Sequence, residues 1–114
     1  MVADRERRTL SIEKQIRMSA LLEFRNMLRD MERDVGLDRL SAVEKDVYLA
    51  ANAVTFKQGE AVSSDQIRRH ALATELAQAT YHRSLRSLLA LGLLEKADGY
   101  KAGWYVVGQD SVLD

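Results

Sequence analysis

Residues 77–107 read AQATYHRSLRSLLALGLLEKADGYKAGWYVV, and this stretch decides the fold of the chain. Four of its apolar residues recur at steps of four, four and three, namely Ala77, Tyr81, Leu85 and Leu88. Such spacing lines side chains along one face of an α-helix. The first half of the stretch is therefore predicted to be a helix with its apolar face turned inward.

A β-hairpin is predicted directly after this helix. Gly92 suits the left-handed conformation at which many helices end. The short apolar segments 93–96 and 104–107 are long enough to be strands, and the turn residues of 97–103 separate them. We expect Trp104 to anchor the hairpin on the core, and Tyr100 either to stack on a partner or to lie on the hairpin.

The outward face of the predicted helix carries short or cationic side chains: Ala79, Thr80, Arg83, Arg86 and Ser87, with His82 at the border. This composition suits close approach to a polar, negatively charged partner. Two other interpretations stay open. The arginines can be ordinary solvated charges, and His82 can be a boundary residue of the helix.

Composition limits the classes of protein. The 114 residues suffice for one domain with an added helix, and the chain has no cysteine for disulfides or thiolate metal sites. No apolar run approaches the roughly 20 residues that span a bilayer, so no membrane partner is expected. The charged start MVADRERRTL does not resemble a signal peptide, and we expect a cytoplasmic protein.

The distribution of charge permits binding to nucleic acid. The formal net charge is zero, whereas domains that bind nucleic acid are often basic. Residues 63–92, however, hold four arginines against two carboxylates, a net charge of +2.

A long helix is predicted over residues 12–35 and ends at Gly36. Its apolar residues step by three and four, as in a coiled-coil heptad: Leu21, Phe24, Leu28, Met31 and Val35. At about 36 Å it exceeds what a small domain needs for its own core. We interpret it as a dimerisation arm through Leu21, Phe24, Leu28 and Met31; the alternative is an extra core helix. Upstream, residues 1–8 are expected to fray, and a short strand around Leu10 and Ile12 competes with a helix start at Ser11.

Between these segments, Ser41 and Glu44 have the spacing of a capping box, which predicts a helix to about residue 56. Residues 57–60 are predicted to form a turn, and residues 61–62 to form a short edge strand beside the hairpin. Either Ser63 or Ser64 then caps a short helix. The predicted divisions are an arm at 1–36, a domain at 37–108 and a tail at 109–114.

The order of helix, helix, helix and hairpin is that of a winged helix-turn-helix. ATYHRSLRSLLALGLLEK resembles the recognition helix and wing entry of MarR-type transcriptional regulators, and LSAVEKDVYLAA resembles their opening helix. The resemblance covers residues 40–107. It implies a mainly α fold with a small β-hairpin, here preceded by a long N-terminal helix.

The MarR-type pattern normally continues with further helices after the wing, which help to build the dimer. The sequence ends at Asp114, a few residues beyond the hairpin. We therefore expect any homodimer to depend on residues 12–35, and we expect no small-molecule effector.

The resemblance also implies double-stranded DNA as the partner, with the recognition helix in the major groove. Thr80, His82 and Arg83 would face bases, and Arg86 a base or a phosphate. Lys101 on the wing would reach the backbone or the minor groove. The remaining phosphate contacts would come from Ser63, Ser64, Arg68 and Arg69.

No catalytic role is predicted. His70 and His82 are the only histidines, and they lie on different predicted elements without a metal-binding pattern. There is no phosphate-binding glycine loop and no nucleophile elbow. We therefore expect no catalytic residue, no metal and no cofactor. The alternative to DNA binding is a winged-helix module that binds another protein.

Overall fold

The computed structural model describes residues 2–108, with side chains from residue 11 onward. The helices are α1 (Val2–Asp34), α2 (Ala42–Ala53), α3 (Ser64–Arg69) and α4 (Gln78–Ala90), with a 3-10 turn at Leu37–Arg39. The strands are β1 (Val62–Ser63), β2 (Leu94–Lys96) and β3 (Trp104–Val107). The predicted class, mainly helical with a small β-structure, is confirmed.

The chain divides into two compact units, of which the first ends at Val35 and the second begins at Gly36. In the first unit α1 is one continuous helix that starts ten residues earlier than residue 12. The predicted helix start near residue 12 and the alternative strand around Leu10 are therefore wrong. Arginine and glutamate dominate residues 4–8, and both are good helix formers. No helix in the described part of the chain is long and apolar enough to cross a membrane.

Both capping boxes of the second unit form. The Ser41 hydroxyl accepts the Glu44 N–H at 3.1 Å, and the Glu44 carboxylate accepts the Ser41 N–H at 2.8 Å. Ser63 and Gln66 repeat the arrangement at the start of α3 with the same distances. Ser63 is thus the cap of α3.

The core of this unit lies between α2, α3, α4 and the sheet. Its innermost side chains are all apolar or aromatic: Val47, Val62, Ile67, Tyr81, Leu88, Leu93 and Leu94. The inward face predicted for α4 is correct for Tyr81, Leu85 and Leu88. It is wrong for Ala77, which is exposed, because this residue is the extended N-cap and not part of the helix.

The three strands form an antiparallel sheet in the order β1-β3-β2. Val62 pairs with Tyr105, and Glu95 pairs with Val106. Gly92 connects α4 to β2 with a φ of 77°, as its predicted role requires. Since β1 leads directly into α3, the sheet fixes the start of α3 beside the hairpin.

Candidate nucleic-acid interface

The outward face of α4 is polar and cationic. His82, Arg83 and Arg86 are exposed, and Thr80 is half-buried beside them. Tyr81, Leu85 and Leu88 lie buried on the opposite face. The helical periodicity therefore places both arginines on the solvent side. No large apolar side chain of α4 is exposed. The face can therefore accept a negatively charged surface without first covering apolar area.

Ser64 connects the hairpin to α4. Its N–H donates to the Gly103 carbonyl at 2.8 Å, which lies at the end of the hairpin loop, residues 97–103. Its own carbonyl accepts the Tyr81 hydroxyl at 2.9 Å, and its Oγ lies 3.1 Å from the same hydroxyl. The hairpin loop, the start of α3 and the first turn of α4 are thus held together by one residue.

Tyr81 is almost completely buried, although its ring also meets a cation. The Arg68 guanidinium lies 5.0 Å above the ring centroid, and its Nη1 donates to the Ala73 carbonyl at 3.4 Å. Burial raises the pKa of the Tyr81 hydroxyl above its ordinary value of 10.0, against the lowering effect of its Ser64 hydrogen bond. Arg68 thus packs against the first turn of α4 through the Tyr81 ring.

The candidate phosphate-binding residues at the start of and within α3 differ in how many hydrogen bonds they already form within the fold. Ser63 uses its hydroxyl as a helix cap, and Ser64 uses both its N–H and its hydroxyl within the fold. A phosphate would have to compete with these bonds. Arg69 is exposed, and only its Nε is held, by the Asp65 carbonyl at 3.2 Å.

The hairpin loop presents one cation and one aromatic ring. Lys101 is exposed. The Tyr100 ring stacks on Trp104 with centroids 5.3 Å apart and an angle of 30° between planes, and Tyr100 remains 56% exposed. Trp104 is half-buried and is not among the side chains that pack against the core, whereas its neighbour Tyr105 is. The prediction that Trp104 anchors the hairpin on the core is therefore wrong: β3 alternates its side chains, and Tyr105 takes that place. The stacking of Tyr100 on Trp104 therefore ties the loop to β3 next to Lys101.

An acidic group also borders the α4 face, and sequence reasoning assigned it only a cap. The Glu44 carboxylate accepts the Ser87 hydroxyl in addition to the Ser41 N–H. These hydrogen bonds, that from Ser87 first, lower its pKa below the ordinary value of 4.5. Glu44 lines the same shallow cleft as Thr80 and Arg83. The spacing of Ser41 and Glu44 revealed the cap, but no sequence signal pointed to Ser87.

The first turn of α4 differs from those of α2 and α3. Its N-cap, Ala77, has no side chain that can accept a hydrogen bond from the helix. Backbone N–H groups at such an end carry a partial positive charge and can donate to an anion. They lie in the same part of α4 as Thr80.

His70 has a local structural role. Its Nδ1 accepts the Leu72 N–H at 3.1 Å, and its carbonyl accepts the Ala73 and Thr74 N–H groups, both at 2.9 Å. These bonds shape the connection between α3 and α4. Within residues 11–108, His, Asp and Glu side chains form no group of three or more that could hold a metal ion.

No protein-family model, curated protein or solved structure matches this chain.

Proposed function

We propose that the chain is a winged helix-turn-helix protein, similar to the MarR-type regulators, that binds specific sites on double-stranded DNA and regulates transcription. In this proposal α4 is the recognition helix and the hairpin is the wing. The observation that carries it is the outward face of α4, where Arg83 and Arg86 are exposed while no large apolar side chain is.

The roles of the exposed residues follow from their chemistry. α4 would enter the major groove with its first turns nearest the bases. The planar guanidinium of Arg83 can donate two hydrogen bonds to O6 and N7 of a guanine, while Thr80 and His82 can each bond a base edge. Arg86, about one turn farther along α4, would contact a base or a phosphate.

Backbone contacts would hold α4 in register on the duplex. Arg69 at the end of α3 and Lys101 in the hairpin loop are exposed cations, and Lys101 would reach the backbone or the minor groove. Phosphate contacts of this kind supply most of the affinity that does not depend on sequence. Arg68, Ser63 and Ser64 would contribute mainly by fixing the positions of α3 and α4.

Dimerisation through α1 is part of the proposal. The chain carries no net charge, and one copy offers few phosphate contacts. A homodimer would double these contacts and would read two half-sites. The exposed positions expected at this interface are Leu21, Phe24, Leu28 and Met31.

The proposal is tested by selecting bound sequences from a pool of random duplex DNA at several salt concentrations. We expect enriched sites with two-fold symmetry and an affinity that falls steeply as salt rises. Salt-labile binding without enrichment would contradict sequence-specific recognition. Absence of binding at low salt would contradict DNA binding altogether and would favour the alternative, a winged-helix module that binds another protein.

A further inference from the structure

Tyr100 is the one large apolar side chain that is exposed in the hairpin, residues 94–107. Its ring stacks on that of Trp104, with centroids 5.3 Å apart and an angle of 30° between the planes. Trp104 therefore covers one side of the ring, while Tyr100 as a whole stays 56% exposed. The exposed neighbours of Tyr100 in the hairpin loop are charged or small: Asp98, Gly99, Lys101 and Ala102. The loop thus presents a single flat apolar surface to solvent.

Trp104 is held by its backbone on both sides. It lies in β3, the central strand of the sheet, where it pairs with Ser63 of β1. On the other side its carbonyl accepts the Ala97 N–H at 3.0 Å. The indole itself is half-buried and is not among the side chains that pack against the core. It therefore contributes to the position of Tyr100 more than to the packing of the interior.

The hairpin loop is also fixed relative to the proposed recognition helix. The Gly103 carbonyl, at the end of the loop, accepts the Ser64 N–H at 2.8 Å, and the Ser64 carbonyl accepts the Tyr81 hydroxyl of α4 at 2.9 Å. In the proposed function the hairpin meets the same duplex as α4. The Tyr100 ring would reach that duplex already oriented, so little conformational entropy would be lost on binding.

Charge alone does not explain what the hairpin would contribute to binding. Its charged side chains are two carboxylates and two lysines, so their formal charges cancel: Glu95, Asp98, Lys96 and Lys101. The phosphates of a duplex would be attracted by Lys101 and repelled by Asp98 in the same loop. A favourable contact of the hairpin therefore has to include a part that does not depend on charge, and Tyr100 offers the exposed ring for it.

The size of this apolar surface distinguishes between partners. A specific protein–protein interface buries about 800 Å² on each partner and has an apolar core. One ring among charged and small residues is too small to form such a core. It is comparable in size to one nucleotide, whose sugar and base edge line the minor groove of B-DNA, about 6 Å wide. A flat side chain can enter a groove of this width.

We propose that Tyr100 contacts double-stranded DNA, with its ring packed against the deoxyribose and base edges of the minor groove, and that Trp104 positions this ring. The contact rests on the proposed function, because it requires the hairpin to meet a duplex. It adds to that function an aromatic contact beside Lys101 and places the hairpin in the minor groove. Because the sugars are the same in every sequence, the ring should add affinity for any duplex.

The salt dependence of affinity separates a ring contact from a phosphate contact. The dissociation constant of the full chain is measured by fluorescence anisotropy with a mixed-sequence duplex of about 20 base pairs at several salt concentrations. Tyr100→Ala should raise it about tenfold at every salt concentration, because an uncharged ring releases no counterion. Lys101→Ala should instead reduce the slope of log affinity against log salt by about one.

Two further variants serve as matched controls. Tyr100→Phe keeps the ring and loses only the hydroxyl, so it should bind as wild type does. Phe56→Ala removes an 85% exposed ring that lies at the other end of β3, beside Val107 and Gly108, and should leave the dissociation constant unchanged. Urea unfolding of each variant verifies that it is folded.

The positioning role of Trp104 is tested in the same assay. Trp104→Leu should raise the dissociation constant about threefold without changing the salt slope, because Tyr100 loses the ring on which it stacks. Trp104→Phe keeps a ring there and should bind nearly as wild type does. In the wild-type chain Trp104 is the only tryptophan, so its fluorescence reports on the hairpin alone. Saturating duplex should reduce the quenching of this fluorescence by acrylamide, since DNA then covers the pair of rings.

An unchanged dissociation constant for Tyr100→Ala, or unchanged acrylamide quenching in saturating duplex, would overturn the contact while DNA binding itself stands. A loss for Tyr100→Ala that is as large on single-stranded DNA would assign the ring to an unpaired base and overturn the minor-groove contact. A wild-type chain that binds no duplex at low salt would contradict the proposed function and this contact together. Binding without sequence preference would contradict only sequence-specific recognition.

Discussion

The carboxylate of Glu44, in the first turn of α2, accepts a hydrogen bond from the hydroxyl of Ser87, in the third turn of α4. Its other oxygen accepts the Ser41 N–H. One side chain therefore closes the capping box of α2 and joins that helix to the proposed recognition helix. Because both bonds favour the ionised form, Glu44 couples the stability of this contact to pH.

Glu44→Gln is expected to lower the free energy of unfolding at pH 7 by about 1 kcal/mol, since a neutral amide replaces the charged acceptor of both bonds. The folded pKa of Glu44 lies below its ordinary value. Its stabilising effect is thus complete above the unfolded value and is lost as pH falls through the folded one. Urea unfolding should show a gap between wild type and variant at pH 7 that closes toward pH 3.

The matched control is Glu95→Gln on β2, where the side chain is exposed. It should leave the free energy of unfolding within about 0.5 kcal/mol of wild type. A gap for Glu44→Gln that persists unchanged at pH 3 would show that the charge of Glu44 is not what stabilises the contact.

Whether each hydrogen bond of Glu44 could be predicted from the sequence depends on how far apart its two partners lie along the chain. Ser41 and Glu44 are three residues apart, and a helix start requires little beyond their spacing, so the capping box was predicted. Glu44 and Ser87 are 43 residues apart. Their bond depends on how α2 packs on α4, which no local pattern specifies.

The same distinction explains the candidate DNA-binding face. Helical periodicity correctly predicted that Tyr81 is inside while Arg83 and Arg86 are outside. It did not predict that the Arg68 guanidinium lies over the Tyr81 ring, or that Ser64 gives its N–H to Gly103, because both contacts join segments that meet only in the folded unit.

Tyr81→Phe is expected to lower the free energy of unfolding at pH 7 by about 1 kcal/mol, because the Ser64 carbonyl loses its hydroxyl donor. The pKa of Tyr81 is raised in the folded protein. Its neutral form therefore stabilises the fold below pH 10, and that contribution is lost as pH rises through the folded value. The variant lacks this loss, so the gap between the two proteins should narrow in urea unfolding at pH 11.

The exposed Tyr100 offers a control, and Tyr100→Phe should behave as wild type at pH 7. Equal stability of Tyr81→Phe and wild type at pH 7 would mean that the hydrogen bond to Ser64 contributes nothing to the free energy of unfolding.

Arg83→Ala is expected to reduce affinity for a selected DNA site by about 10- to 100-fold, the range for loss of one bidentate contact to a base. Sequence preference at one position of the site should relax as well. The free energy of unfolding should stay within about 0.5 kcal/mol of wild type, because the side chain is exposed. Fluorescence anisotropy with the selected duplex and a one-base variant measures both effects.

Arg39→Ala removes an exposed arginine from the 3-10 turn and serves as the control for the loss of one positive charge. If both variants weaken binding equally on every sequence, Arg83 acts only through its charge. If neither does, Arg83 is not part of the interface.

Leu28→Asp is expected to convert the dimer into monomers, because it introduces two carboxylates into the middle of the paired apolar seam of α1, formed by Leu21, Phe24, Leu28 and Met31. Sedimentation should show the change, and half-site DNA binding should remain. Asn26→Asp adds the same charge on the side of α1 away from the seam and should leave the dimer intact. A dimer that survives Leu28→Asp would assign the interface to another surface.

If α1 is instead an added core helix, wild type and variant would both be monomers, and the variant would be less stable, since Leu28 would then be buried against its own domain. Measuring mass and unfolding free energy on the same samples separates these outcomes, because only the paired arm predicts a change of mass with an unchanged unfolding of the α2–β3 unit.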